Sequence, residues 1–150
     1  LEPNPKKWWE IIFKLVNELK ENNIIYSFDA STALFVNGID SFDMEDLDIM
    51  IQWDCYEGAY EMFKKYSPTP ASQKGGFWHF RFYVDGMEIH LMSSEEINNL
   101  QEDPERRCIE KEGVKIWSKS IYFYRRYTND FFLKKLIDDY IKKTNDNKKV

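Results

Sequence analysis

Two strand-like runs, Phe77 to Val84 and Met87 to Met92, meet at Asp85-Gly86. An Asp-Gly pair between such runs is the strongest short-range signal for a hairpin, because a tight primed turn needs positive φ at both central positions. A two-residue turn also sets the register: Val84 faces Met87, and Arg81 sits opposite His90. Arg81, Tyr83, Glu88 and His90 then share one face of the ribbon. A lone hairpin is marginal in water, so the rest of the chain has to complete a sheet around it.

Periodicity along the chain supplies the other layers. Trp8, Ile11, Ile12, Leu15, Val16 and Leu19 recur at helical spacing and predict a helix from about Lys6 to Glu21. Ile24 to Phe28 reads as a short buried strand. A compact apolar segment, Thr32 to Val36, starts a helix at Asp29 or Ser31 and ends it at Asn37-Gly38. From Asp46 to Gln52 a strand turns Leu47, Ile49 and Ile51 to one face and Asp46, Asp48 and Met50 to the other. A helix from Tyr56 to Tyr66 precedes a Pro-, Ser- and Gly-rich loop from Ser67 to Gly76.

Beyond the central hairpin, Ser94 to Gln101 is expected as a short helix with Glu in its first turn. Arg107 to Ile109 and Val114 to Trp117 suggest a small hairpin around Gly113. Helices from Ser118 to Tyr127 and from Asn129 to Lys143 follow, the second burying Phe132, Leu133, Leu136, Ile137, Tyr140 and Ile141. Thr144 to Val150 is polar and expected to fray. These readings make an α/β (α+β) chain, a mixed central β-sheet flanked by helices, with residues 1–150 forming a single domain closed by C-terminal helices.

Composition excludes several classes. The chain has 150 residues, 43% hydrophobic and 17% aromatic, which is enough for a core and too much for global disorder. No apolar run reaches the length of a membrane-spanning helix and no signal-peptide layout opens the chain, so no membrane partner and a cytoplasmic location are expected; Leu1 in place of Met suggests a trimmed start. Cys55 and Cys108 lack metal-site spacing and read as free thiols. A net charge of −5 gives no strong nucleic-acid signal. That charge is unevenly placed. Between Lys20 and Lys64 there are ten acids and no Lys or Arg, leaving 21 basic residues against 16 acids elsewhere.

The acidic block contains Asp46-Leu47-Asp48, whose carboxylates project from one side of a strand and can share a divalent cation. Such a pair is also what an ordinary solvated strand face looks like. Context separates the two: a strand, a small-residue turn and a helix precede it, and Glu88 and His90 follow on another strand by the same alternation.

At this point the sequence resembles the nucleotidyltransferase superfamily with the polymerase-beta-like fold, and especially the small lincosamide-type antibiotic nucleotidyltransferases. The likeness rests on Tyr26-Ser27-Phe28-Asp29-Ala30-Ser31-Thr32-Ala33-Leu34 with Gly38, then Glu45-Asp46-Leu47-Asp48-Ile49, then Gly86-Met87-Glu88-Ile89-His90. Val114 to Lys119 and Asn129-Asp130 resemble the end of those proteins, so the likeness runs over roughly residues 8 to 142. The resemblance implies a nucleotidyltransferase-like fold and transfer of a nucleoside monophosphate from a nucleoside triphosphate to a hydroxyl of a small-molecule acceptor, with Mg²⁺ as cofactor, two ions in all. It makes Asp46 and Asp48 metal ligands and catalytic groups, with Glu88 as the third acid, ligand or general base. Ala30, Ser31, Thr32 and Arg81 fall where the nucleotide would be bound.

Two departures stand out. A glycine pair that lets backbone amides approach phosphates is here Ala30-Ser31, and the third carboxylate belongs either at Glu88 or where His90 stands. Ser31 and Thr32 could donate to a phosphate or simply cap a helix; Arg81 could hold a triphosphate or pair with Glu88. His79 reads as a surface or packing residue, and Lys119, just before the penultimate helix, as an exposed residue or a phosphate contact. A catalytically degenerate protein of the same fold, binding a nucleotide or a protein in the manner of a toxin or antitoxin component, is the alternative to the enzyme. A metal-dependent nuclease would want a lysine beside the acids, and none is there.

Overall fold

The computed structural model describes residues 4–148. Its centre is a seven-stranded mixed sheet in the order β3-β4-β5-β2-β1-β7-β6. The strands are β1 (Tyr26–Phe28), β2 (Leu47–Ile51), β3 (Ser72–Lys74), β4 (Phe77–Val84), β5 (Met87–Ser93), β6 (Arg106–Lys111) and β7 (Val114–Lys119). β1 runs antiparallel to β2 and parallel to β7, and β2 runs parallel to β5. The expected hairpin forms in the expected register, with Val84 opposite Met87 and Arg81 opposite His90. Asp85 and Gly86 both take positive φ, 51° and 79°, as a tight primed turn requires.

The first helix, α1 (Pro5–Glu21), starts with Pro in its first turn, where no N–H is missed, and Asn4 accepts from the Lys7 N–H. Its six periodic apolar residues are all buried. They join Leu47, Ile49 and Ile51 of β2, Phe80 and Phe82 of β4, and Tyr56, Ala59 and Phe63 from the segment after β2 in the main core. Each Leu, Ile, Val or Phe among them contributes about 1.5–3 kcal/mol when fully buried. A smaller core forms where α2 (Ala30–Val36) meets α4 (Ile121–Tyr127) and α5 (Phe131–Lys148), around Leu34, Ile39, Ile121 and Ile137. Among the described residues no helix is long and apolar enough to cross a membrane.

Several expectations need correction. The helix after β2 is split into α3 (Tyr56–Met62) and a tighter 3₁₀ turn over Phe63–Tyr66. Within the expected loop, residues 72–74 pair with β4 as a short edge strand. Ser94 to Gln101 is not an α-helix. Its backbone bonds to the end of β2 instead: the Trp53 N–H donates to Ile97 O, the Leu100 N–H donates to Gln52 Oε1, and only a 3₁₀ turn at Leu100–Glu102 remains. Ser118 and Lys119 belong to β7, so α4 starts later than expected, with Ser120 as its cap. On α5 the stripe is narrower than expected, since Phe132 is 61% exposed while Ile137 is fully buried. That helix continues through Lys148, and residues 149–150 of the expected frayed tail lie outside the described residues.

Candidate metal centre

Parallel pairing of β2 with β5 brings the acidic strand face beside the hairpin. Asp48 lies opposite His90, and Leu47 opposite Ile89. Alternation therefore points Asp46, Asp48, Glu88 and His90 to one side. Among the described residues, Asp46, Asp48 and His90 offer ligand atoms that all lie within 4.8 Å of one another. Glu88 is not one of the three. It faces Arg81, whose Nη1 lies 3.4 Å from both Glu88 Oε1 and Asp46 Oδ2. Arg81 therefore pairs with Glu88 and with the first acid of the motif together.

Both ring nitrogens of His90 have a close neighbour. Its Nδ1 lies 2.9 Å from Asp48 Oδ1, and its Nε2 lies 2.6 Å from His79 Nδ1. The two rings are nearly coplanar, 6° apart with centroids 4.8 Å apart, an edge-to-edge arrangement joined through the nitrogens. His79 Nε2 sits 3.1 Å from the Lys74 carbonyl, which can only accept. With the proton on that nitrogen, His79 Nδ1 accepts from His90 Nε2–H, an order assigned from the hydrogen-bond network. Lys74, His79 and His90 thus form one chain leading from the edge strand, and with Nε2 carrying the proton, His90 Nδ1 keeps its lone pair beside Asp48 Oδ1, where a cation ligand is needed.

Electrostatics fit this crowding. Burial raises the Asp46 carboxyl above its ordinary value, the neighbouring Asp48 and Glu88 charges add to the rise, and His90 and Arg81 oppose it. Burial lowers His79 below the ordinary imidazole value, which favours its neutral form. Two carboxylates and one imidazole suit a divalent cation that accepts oxygen and nitrogen ligands.

The segment between β1 and α2 lies beside this group. Ala30 has φ +53°, the left-handed region that favours glycine. The position has a glycine-like backbone although its residue carries a methyl group. Its N–H donates to Asp29 Oδ1 at 2.9 Å and to the Tyr124 hydroxyl oxygen at 2.7 Å, and the Tyr124 hydroxyl in turn donates to Asp29. Burial, with the Asp29 charge, raises the Tyr124 phenol and keeps it protonated. Thr32 is fully buried, and its hydroxyl accepts from the Asp48 N–H at 2.9 Å, fastening α2 to β2, which carries Asp48 and follows directly on Asp46. Ser31 is partly exposed at the start of α2. Lys119 pairs with Asp103 at 3.1 Å and is not free in solution.

Sequence reasoning underrated His79. It lies two residues before Arg81 on the same strand, so the alternation that placed Arg81 near His90 also places His79 on that face. Asp29 and Tyr124 are 95 residues apart in sequence, and no local pattern links them.

No protein-family model and no curated protein matches the chain. Solved structures do. The lincosamide antibiotic adenylyltransferase LnuA, bound to lincomycin, superposes with a TM-score of 0.64 at 10% identity, over 92% of this chain and 98% of that one. A candidate nucleotidyltransferase from Thermotoga maritima gives 0.62 at 18% identity, over 95% and 94%. The structure of ANT(2″)-Ia in complex with adenylyl-2″-tobramycin gives 0.59 at 12% identity, over 88% of each chain. This chain therefore has the nucleotidyltransferase fold, as its sequence resemblance implied.

Proposed function

We propose that this chain is a metal-dependent nucleotidyltransferase, one domain over residues 1–150, that moves a nucleoside monophosphate from a nucleoside triphosphate to a hydroxyl of a small-molecule acceptor. The observation that carries this reading is the convergence of Asp46, Asp48 and His90 on adjacent parallel strands of this fold. In the reaction the acceptor oxygen bonds to the α-phosphorus, the bond to the β-phosphate oxygen breaks, and pyrophosphate leaves. The acceptor's proton passes to a base.

Asp46, Asp48 and His90 would hold the divalent cation, Mg²⁺ by the family resemblance, or Mn²⁺, which accepts imidazole more readily. When bound, the cation would neutralise phosphate charge and align the triphosphate. Glu88 is the carboxylate left for proton removal. Arg81 holds it beside Asp46, and its guanidinium is also the nearest cation for a phosphate oxygen. Ser31 supplies a hydroxyl in the first turn of α2, and Ala30 the glycine-like backbone there. The acidic block is then no obstacle to an anionic substrate, because a bound cation would offset the charge of Asp46 and Asp48.

One observation favours a second reading, a degenerate protein that binds nucleotide or a protein partner without transfer. The expected nucleotide contacts, the Ala30 N–H and the Thr32 hydroxyl, are already engaged internally. Calorimetric titration of ATP and GTP with Mg²⁺, with Mn²⁺ and with EDTA decides between them, together with mass-spectrometric search for nucleotidylated antibiotics and sugars. Metal-dependent binding abolished by Asp46→Asn with Asp48→Asn, plus any nucleotidylated product, supports the enzyme. Metal-independent binding without product supports the second reading.

A further inference from the structure

On the opposite side of the sheet from the metal centre, α3 and the start of β4 enclose a groove of about 880 Å³. Trp78 lines it, and its neighbour His79 belongs to the metal-centre face, so alternation along β4 turns the two side chains apart. Trp53, Tyr56 and Tyr60 form the other aromatic walls. Trp53 and Tyr56 are stacked with centroids 5.9 Å apart, and Tyr60 is held edge-on to Phe80 at 5.0 Å. These contacts fix the rings that face the groove.

Its rim is acidic. Asp54, Glu57, Glu61 and Glu95 all line it and all are exposed. Glu61 is paired with Lys64 at 2.8 Å, and Asp54 accepts from Gln52 at 2.9 Å. Glu57 and Glu95 have neither an ion pair nor a side-chain hydrogen bond among the described residues, and no basic residue occurs between Lys20 and Lys64 to screen the first of them. Tyr56 is the buried one of the lining rings, 6% exposed, and its hydroxyl lies beneath the surface. Burial pushes this phenol up to about 12, so at neutral pH it stays protonated and the wall it forms carries no charge.

We infer that this groove binds a small organic cation, an amine carried on an apolar or aromatic body, at a site separate from Asp46, Asp48 and His90. The body fits between the tryptophan and tyrosine faces, whose ring quadrupoles attract positive charge. The ammonium group meets Glu57 and Glu95 at the rim. The groove's size is that of a small-molecule site. Anions of the same shape meet unscreened carboxylates and are excluded.

Tryptamine and indole-3-propionate share a ring system and differ in charge, so they test the inference directly on the full chain by calorimetry at low ionic strength. Tryptamine is expected to bind saturably, and Glu57→Gln with Glu95→Gln to weaken it by about tenfold, since two nearby charges are removed at exposed positions. Trp78→Leu is expected to weaken it without abolishing folding, checked by circular dichroism. Indole-3-propionate is expected not to bind. Asp46→Asn with Asp48→Asn is expected to leave tryptamine affinity unchanged, which separates this site from the nucleotide reading. Equal affinity for the two probes, indifference to the Glu57 and Glu95 changes, or loss of binding in the Asp46 and Asp48 variant would each overturn the inference. So would binding of a lysine-rich peptide in place of tryptamine, which would make the occupant a protein.

Discussion

Asp46 carries the tension of the site. Its carboxyl is raised by burial and by Asp48, so its ionised form opposes folding when no cation is present. A raised acid favours the folded state below its ordinary value, and that contribution is lost as pH rises through the higher folded value. At neutral pH Asp46→Asn is therefore expected to raise the melting temperature of the metal-free protein and to abolish the further rise that Mg²⁺ or Mn²⁺ gives the wild type, both read by differential scanning calorimetry. His79 is a positioning residue by geometry, since it fixes the ring of His90 through the 2.6 Å contact. Replacing such a supporting partner costs on the order of 10–100-fold in metal affinity. His79→Phe should show that loss in a Mn²⁺ titration, and His79→Gln, which keeps a hydrogen-bonding group, should recover part of it. Unchanged Mn²⁺ affinity in His79→Phe would remove His79 from the site.

At the scale of elements, the site depends on how α2 and the C-terminal helices are fastened to the sheet. The Thr32 hydroxyl accepts the Asp48 N–H in a fully buried setting. Thr32→Val keeps the shape and leaves that N–H unpaired, at an expected cost of about 1–3 kcal/mol by urea unfolding. Ile137 is the fully buried centre of the cluster where α5 meets α2 and α4. Ile137→Ala is expected to cost about 2–5 kcal/mol. Boundaries were legible wherever a local rule governed them: the period of α1, the Asp85-Gly86 turn, and Asn37-Gly38 at the end of α2. They were missed where a distant group decided. Ser94 to Gln101 had a helix's opening residues, but its backbone is bonded by Gln52 and Trp53, and residues 72–74 became a strand because β4 offered an open edge.

For the whole molecule, acid should act on His79 in the opposite sense to Asp46. Its folded value is lowered from 6.5 by burial, so the stability its neutral form contributes is present above 6.5 and is lost as pH falls below that. Thermal unfolding between pH 7.5 and 5 should therefore show a decline in the wild type that is smaller in His79→Gln. Equal slopes in the two proteins would mean that His79 is not buried as described. The amino-acid sequence by itself determined the alternation that puts Asp46 and Asp48 on one strand face, the hairpin register that puts Arg81 opposite His90, and the main apolar stripes. These follow from periods of 2 and 3.6 residues and from one turn, all of which act over a few positions. Only the tertiary structure decided that β2 lies parallel to β5 with Asp48 beside His90, that His79 closes the chain of nitrogens behind it, and that Tyr124 reaches Asp29. Strand pairing and helix docking join residues tens of positions apart. Their register is set by the sum of packing across the core, which no local window of sequence contains.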